Sequence, residues 1–316
     1  MFAPVHTDRM LPLVIDADPG IDDALALWMA VRSPEFKLAA VSITYGTTTL
    51  DNATRNAREV LRRAGGLPLP IFPGADRPWS RTLSTAAETH GASGIGYAEV
   101  PPAPKMHSDP AALLRALETA GDEVTLVTLG PLTNLALALA MHPAQVKHRV
   151  ARHIAMAGNL SARGNVTAGS EFNAWSDPEA LWRVLEAELP TTLVPLDATR
   201  ALTISAEDVA AVEAGGPPHA PWLGRALRCY LESHRRFEGL DGCRLHDVLV
   251  MAATLDAAVL TVQQVPLAVS LAPGENQGRT RVVGAGRQVA VAVDADGASA
   301  RAILRERVLP WIPEGT

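Results

Sequence analysis

The chain has 316 residues, is 47% hydrophobic and carries a net charge of −6, the profile of an ordinary soluble globular protein with room for one large core or two smaller ones. Lys and Arg are scattered rather than clustered, so nothing marks a nucleic-acid partner. The longest apolar stretch, VLVMAATLDAAVLTV, is broken by Asp256 and is too short to span a bilayer, so no membrane partner is expected. The opening residues MFAPVHTDRM lack the basic start and continuous apolar core of a secretion signal. Cys229 and Cys243 form neither a disulfide framework nor a pair at metal-ligand spacing, which predicts reduced thiols in a cytoplasmic protein.

Short apolar runs alternate with helical patterns through most of the chain. LPLVI (11–15) reads as a buried strand and DDALALWMAVR (22–32) as the helix after it. KLAAVSITYG (37–46) is the next strand, followed by the helix LDNATRNAREVLRRAG (50–65) with the C-cap signal Gly65-Gly66. The alternation repeats in EVTLVTLG (123–130) with TNLALALAMHP (133–143), and in HIAMAG (153–158) with DPEALWRVLEAEL (177–189). In the last of these Asp177 is a natural N-cap and Pro178 takes the favoured first helical position.

TTLVPLDAT (191–199) supplies another strand, before helices at SAEDVAAVEAG (205–215), PWLGRALRCYLESHRRFEG (221–239) and HDVLVMAATLDAAVL (246–260). QQVPLAVSLA (263–272), RTRVVG (279–284) and QVAVAVDAD (288–296) are closely spaced strands, read as a small C-terminal antiparallel annex before the closing helix ARAILRERVLPWI (300–312). Strand–helix alternation with near-continuous apolar strands predicts an α/β fold, a mostly parallel sheet flanked by helices. No linker, low-complexity tract or repeat divides residues 1–316, so a single domain is expected.

Ligands in such sheets bind beyond the carboxyl ends of the strands, and that is where the unusual polar residues fall. Asp16, Asp18, Asp22 and Asp23 crowd into eight residues where the first strand passes through Pro19-Gly20 into a helix. Helix capping and the macrodipole account for two acids there, not four. Crowded carboxylates force protons onto one another unless a cation intervenes, and an all-oxygen set favours Ca²⁺ or Mg²⁺ over zinc.

The strand ending in TLGPLTN turns at Gly130-Pro131, so the Leu129 carbonyl can face the same cleft; a plain turn capped by Thr133 reads equally well. RGNVTAGSEFNAWSDPEA contributes Asn165, Glu171 and Asn173. In extended backbone the last two project to one side and suit vicinal hydroxyls, although loop residues also bond their own backbone. His246 and Asp247 open a late apolar helix, where Asp247 suits a cap and His246 a proton donor. ETHGASGIGY is a glycine-rich loop carrying His90, without the Lys-Ser/Thr of a phosphate loop, and is expected to be a flexible lid.

D-x-D-P-G-x-D-D after the first strand, LGPLTN, GNVTAGSEFNAWSDPEA and the HD step resemble the inosine-uridine preferring nucleoside hydrolases, in the family's order from Asp16 to Asp247. The resemblance implies the Rossmann-like nucleoside hydrolase fold and a Ca²⁺-dependent N-ribohydrolase that splits a nucleoside into base and ribose. It implies that Asp18, Asp23, Asp247 and the Leu129 carbonyl hold Ca²⁺, with Asp18 also the general base. Asp22, Asn165, Glu171 and Asn173 would bind the sugar hydroxyls, Met156 would pack against the ribose, and His246 would be the acid near the base. Family members are dimers or tetramers, so a homo-oligomer is implied.

Thr47 departs from the family pattern, standing where Asn follows the second strand. It keeps a hydroxyl but loses the amide's paired donor and acceptor, so a weaker ribose contact is expected. Tyr230, His234 and Phe237 share a helical face by their i, i+4, i+7 spacing, which predicts base contacts by stacking and hydrogen bonding; core aromatics are the plainer reading. Two other functions compete. A haloacid-dehalogenase-like phosphatase also ends its first strand in D-x-D, but the second Asp is usually followed by Thr or Val. A non-catalytic ribose- or nucleoside-binding relative would keep the metal site and lose turnover.

Overall fold

Strand β1 (Leu11–Ala17) is buried from Leu13 onward and has a parallel neighbour on each side, which favours an apolar run broken only by Asp16 near its end. The computed structural model of the protein describes residues 10–65 and 68–313. The opening residues 1–9 and Gly66 of the expected C-cap pair lie outside the described residues.

The chain continues through α1 (Ile21–Arg32), β2 (Phe36–Ile43), α2 (Leu50–Ala64), β3 (Ile71–Pro73), α3 (Ala87–His90) and α4 (Ala112–Ala120). Then come β4 (Val124–Thr128), α5 (Thr133–Met141), α6 (Pro143–Arg149), β5 (Val150–Met156), α7 (Phe172–Ser176), α8 (Pro178–Glu186) and β6 (Thr191–Val194). The last third holds α9 (Leu196–Thr199), β7 (Thr203–Ser205), α10 (Ala206–Ala214), α11 (Ala220–Glu238), β8 (Gly242–Arg244) and α12 (His246–Leu255). It closes with β9 (Leu260–Val269), β10 (Thr280–Val282), β11 (Gln288–Ala295) and α13 (Gly297–Arg307).

Nine strands make one sheet in the order β10-β9-β11-β6-β5-β4-β1-β2-β3, parallel from β3 through β6. The expected annex is therefore an extension of the main sheet: β11 pairs parallel with β6 and antiparallel with β9. A small antiparallel pair, β7 and β8, stands apart. Two apolar layers cover the sheet. One holds α1 and α12, whose residues are buried almost without interruption, as a helix apolar all round must be. No helix among the described residues is long and apolar enough to cross a membrane.

The order β3-β2-β1-β4-β5-β6 reverses direction between β1 and β4, and a crevice opens at the carboxyl ends of strands where that happens. Asp18 lies just past β1 and Leu129 just past β4, so both flank the reversal point.

Several boundaries differ from expectation. Pro195 stops β6 at Val194, and LDAT becomes the short helix α9 instead of more strand. Helix α12 ends at Leu255 because the Asp256 side chain accepts from Ala258 N, capping a 3₁₀ turn that leads into β9. Thr133 caps nothing; its hydroxyl donates to Asp177 Oδ2 at 2.7 Å. Asp177 does cap α8, accepting from Ala180 N at 3.0 Å, with Pro178 at the first position.

Candidate active site

A cavity of about 650 Å³ opens at the reversal point, with Asp18, Asp22, Asp23 and Asp247 in its wall. Carboxylate oxygens of Asp22, Asp23 and Asp247 all lie within 4.8 Å of one another, and all three residues are buried. Asp18 stands beside this trio, its Oδ2 accepting from Thr47 N at 2.5 Å.

Burial, then repulsion from Asp23, pushes Asp18 well above the ordinary carboxylate range. The same two causes push Asp22 up to about 7. Asp247 is raised by burial and then by Asp22, and Asp23 is raised by burial. Asp23 also caps its own helix, one oxygen accepting from Gly20 N at 3.0 Å. Its other oxygen, and Asp18 Oδ1, are buried without a hydrogen-bond partner among the described residues. Capping thus accounts for one oxygen of one aspartate, and the rest form an anionic, oxygen-only pocket suited to a hard cation.

Asp18 is wedged between two glycines. A Cβ on Gly46 would sit 1.9 Å from its Oδ2, and one on Gly130 would sit 2.4 Å from its Oδ1. Thr47, expected as a ribose contact, lines the cavity and orders Asp18 from both ends. Its hydroxyl donates to the Asp18 carbonyl at 2.6 Å, while its N–H holds the carboxylate.

Asp16, whose purpose was hidden in the sequence, points away from the cavity. Asn134 Nδ2 donates to its Oδ1 at 2.8 Å and to the Ile43 carbonyl at 3.1 Å, while Asn134 Oδ1 accepts from Ala75 N at 2.7 Å. Burial raises Asp16 to about 6. Asn134 therefore stitches the turns after β1, β2, β3 and β4 together. It lay unremarked inside the quoted LGPLTN run.

The opposite wall comes from the loop before α7. Glu171 is in extended backbone as expected, but Asn173 is helical. Glu171 is the N-cap of α7, its carboxylate accepting from the backbone N–H groups of Asn173, Ala174 and Gly158 at 2.7, 3.0 and 2.8 Å. Burial still lifts it to about 7. Asn173 sits in the first turn, where Nδ2 donates to the Leu129 carbonyl at 2.6 Å and the Met156 carbonyl at 3.0 Å. A carbonyl oxygen has a second lone pair, so Leu129 keeps one for another partner. Asn165 is exposed and its Oδ1 accepts from Phe172 N at 2.8 Å, bracing this loop.

Three histidines face the far end. His90 Nδ1 accepts from Ile21 N at 3.1 Å, and burial drives its pKa down to about 3. Its ring lies 5.1 Å from that of Tyr230, which meets His234 edge-on at 4.4 Å. His246 Nδ1 bonds Thr199 Oγ1 at 2.8 Å, and burial holds this ring well below its usual pKa. Of the expected aromatic face, Tyr230 and His234 are buried in the cavity wall and Phe237 is 54% exposed at its mouth. The glycine-rich segment around His90, expected to be a flexible lid, is tied to α2 in this structure. Asn56 Nδ2 donates to the carbonyls of Pro19 and Ser93, both at 2.9 Å, and Asn52 Nδ2 to Ala92 at 3.1 Å, so α2 pins the segment by its backbone.

The sequence model of the inosine-uridine preferring nucleoside hydrolases matches residues 13–301. The chain belongs to this family. The pyrimidine-specific ribonucleoside hydrolase RihA of Salmonella typhimurium is 33% identical over 307 residues, covering 94% of this chain and 98% of the relative. The solved structure of a plant nucleoside hydrolase superposes with a TM-score of 0.86 at 28% identity, over 93% of this chain and 98% of that one. A purine-preferring ribonucleoside hydrolase from Gardnerella vaginalis gives 0.86 at 26% identity, over 95% and 98%. Like its family, the enzyme hydrolyses the N-glycosidic bond of ribonucleosides; the family is metal-dependent, and this chain carries an acidic cluster where a metal could bind.

The glycine wedge makes a prediction. Gly130→Ala should displace the Asp18 carboxylate by about an ångström and lower kcat roughly 100-fold. Ribose release per mole of folded protein measures this, with circular dichroism confirming the fold. Near-normal kcat would mean that Asp18 need not be held so closely.

Proposed function

We propose that the chain is a single-domain, Ca²⁺-dependent nucleoside N-ribohydrolase in which Asp18 takes the proton of the attacking water. The observation carrying this reading is the pair of buried, unpartnered oxygens, Asp18 Oδ1 and Asp23 Oδ1, beside the Asp22 and Asp247 carboxylates. Asp18, Asp23, Asp247 and the Leu129 carbonyl would hold the ion, an all-oxygen set that suits Ca²⁺. When bound, the ion supplies positive charge that orients the water and lowers its proton affinity.

The chain's own residues do the rest. Thr47 and the two glycines hold Asp18 for proton transfer. Asp22, Glu171, Asn173 and Asn165 bind the ribose hydroxyls, and Met156 packs against the ring. As the C1′–N bond opens, the ribose gains oxocarbenium character, which the surrounding carboxylates stabilise. His246 is the leaving-group acid. Burial keeps its ring neutral at rest, so His246 would take a proton from solvent as negative charge develops on the departing base and pass it to the base nitrogen.

Tyr230, His234 and His90 form the base-facing wall. Tyr230→Phe and His234→Ala should each alter the uridine-to-inosine ratio of kcat/KM by roughly tenfold, the worth of an aromatic or hydrogen-bond contact. An unchanged ranking would place the base elsewhere. A cytoplasmic location agrees with the two free cysteines. A dimer or tetramer agrees with the family resemblance, and light scattering decides between them.

The deciding experiment assays reducing sugar from a panel of nucleosides, with and without chelator, alongside phosphate release from nucleotides. Chelator-sensitive ribose release without phosphate release is expected. No ribose from any nucleoside at high enzyme concentration would overturn the proposal, and phosphate release would favour the phosphatase.

A further inference from the structure

Three arginines, Arg163, Arg200 and Arg244, line the cavity at the end that carries His234 and His246. Two are accounted for. Arg244 forms an ion pair with Glu238, and Arg163 is exposed and offers its backbone carbonyl to Arg200. Arg200 differs. Its Nη2 donates to the Arg163 carbonyl at 2.6 Å, its Nε is buried with no partner, and no carboxylate pairs with it among the described residues. Asp197, three residues earlier, is occupied by the backbone N–H groups of Leu160, Ser161 and Ala162 at 2.7, 2.8 and 2.9 Å.

Helix α9 sets the position of this side chain. Thr199, its last residue, is fastened to His246 Nδ1, and Arg200 follows immediately, so one turn places both beside the same end of the cavity. Glu238 and Asp197 lie near enough to favour its charge but bond other groups, so the open N–H donors of this half-buried guanidinium are costly unless a ligand supplies acceptors. A planar fork of N–H donors suits carbonyl oxygens and ring nitrogens and is mismatched to an exocyclic amino group, itself a donor.

We propose that Arg200 is a specificity-determining residue that donates hydrogen bonds to the carbonyl edge of the nucleobase, selecting oxo bases such as uracil and hypoxanthine over their amino counterparts. The inference rests on the base-side assignment made above. It has a chemical consequence. When the C1′–N bond breaks, its electron pair moves to the base nitrogen and is shared with the conjugated carbonyl oxygen. Oxygen from water bonds to C1′, one water proton goes to Asp18 and is then released to solvent, and the departing base takes one proton from solvent through His246 to become neutral. Arg200 binds the oxygen on which charge accumulates, so its contact strengthens as the bond opens.

The test measures kcat/KM of wild type, Arg200→Gln and Arg200→Lys with uridine, cytidine, inosine and adenosine, together with binding of free uracil and cytosine by calorimetry. Arg200→Gln should reduce the uridine-to-cytidine and inosine-to-adenosine ratios by roughly 10- to 100-fold, the worth of a charge-assisted hydrogen bond. Arg200→Lys, which keeps the charge but not the fork, should fall between. Equal losses on all four nucleosides, or unchanged ratios, would overturn the role of Arg200 while leaving the hydrolase reading intact. If wild type turned over no nucleoside yet bound uracil over cytosine in an Arg200-dependent way, the hydrolase reading would fall and the recognition role would stand.

Discussion

Asp18→Asn should lower kcat by about 10³- to 10⁴-fold on every nucleoside, since it removes the proposed general base and with it the charge of one proposed metal ligand. The same substitution should make the metal-free protein more stable. Asp18 is buried, its carboxylate is crowded by Asp23 and Asp22, and Oδ1 lacks a partner. Asn has nearly the same shape, its carbonyl oxygen still accepts from Thr47 N, and it carries no charge to repel. A melting temperature a few degrees above that of metal-free wild type, with turnover nearly abolished, is the expected pair of results, the usual opposition of function and stability at a strained site. Loss of both activity and stability would show that Asp18 holds the fold together, and full activity would assign the base to another residue.

The second expected result concerns pH. Without metal, the protein should lose stability as pH rises from about 4 to about 7. Asp22 moves from 3.8 to about 7, Glu171 from 4.5 to about 7 and Asp16 from 3.8 to about 6 on folding. Each folded-state pKa lies above the unfolded one, so between those limits the folded chain binds more protons than the unfolded chain. Their contribution is full below the unfolded values and disappears as pH climbs through the folded ones. Ca²⁺ should reverse the trend, because its ligands must be ionised and its affinity therefore rises over the same window. At about 100 times Kd, binding adds about 2.7 kcal/mol, or roughly 5 °C in Tm for a chain of this size. Calorimetric melts from pH 4 to 8, in chelator and in excess Ca²⁺, test both signs. A chelated Tm that is flat or rising across the window would contradict the raised pKa values, and a Ca²⁺ effect that shrinks with pH would contradict carboxylate ligation.

Much of the site was legible because its residues sit in short local runs. D-x-D-P-G-x-D-D, the EFN step and HD each follow a strand or open a helix, and chain periodicity shows where strands and helices begin. Local inference failed where a neighbour from elsewhere in the chain decided a conformation. Glu171 is extended as its pattern predicts, but Asn173 enters helix α7, whose first turn and the Gly158 N–H from the turn after β5 both bond the Glu171 carboxylate. Thr47 also clamps Asp18, 29 residues earlier, a contact that no local pattern shows. The supposed lid was read from its glycines alone, and Asn52 and Asn56 on another element hold it down.

The amino-acid sequence by itself determined the alternation that builds a parallel sheet, the crowding of four aspartates at its first strand end, and the family. These depend on periodicity and on spacing along the chain, which any folded conformation inherits. Only the tertiary structure decided how those aspartates divide. Asp16 turns inward to Asn134, 118 residues away, while Asp22 and Asp23 meet Asp247 across the cavity. Only the fold shows that Gly46 and Gly130 leave space for Asp18, and that Arg200 reaches the cavity with its buried Nε unbonded. The physical reason is common to all of them. Burial, steric clearance and the pairing of charges depend on distances through space, and strand order brings together residues that the chain keeps far apart.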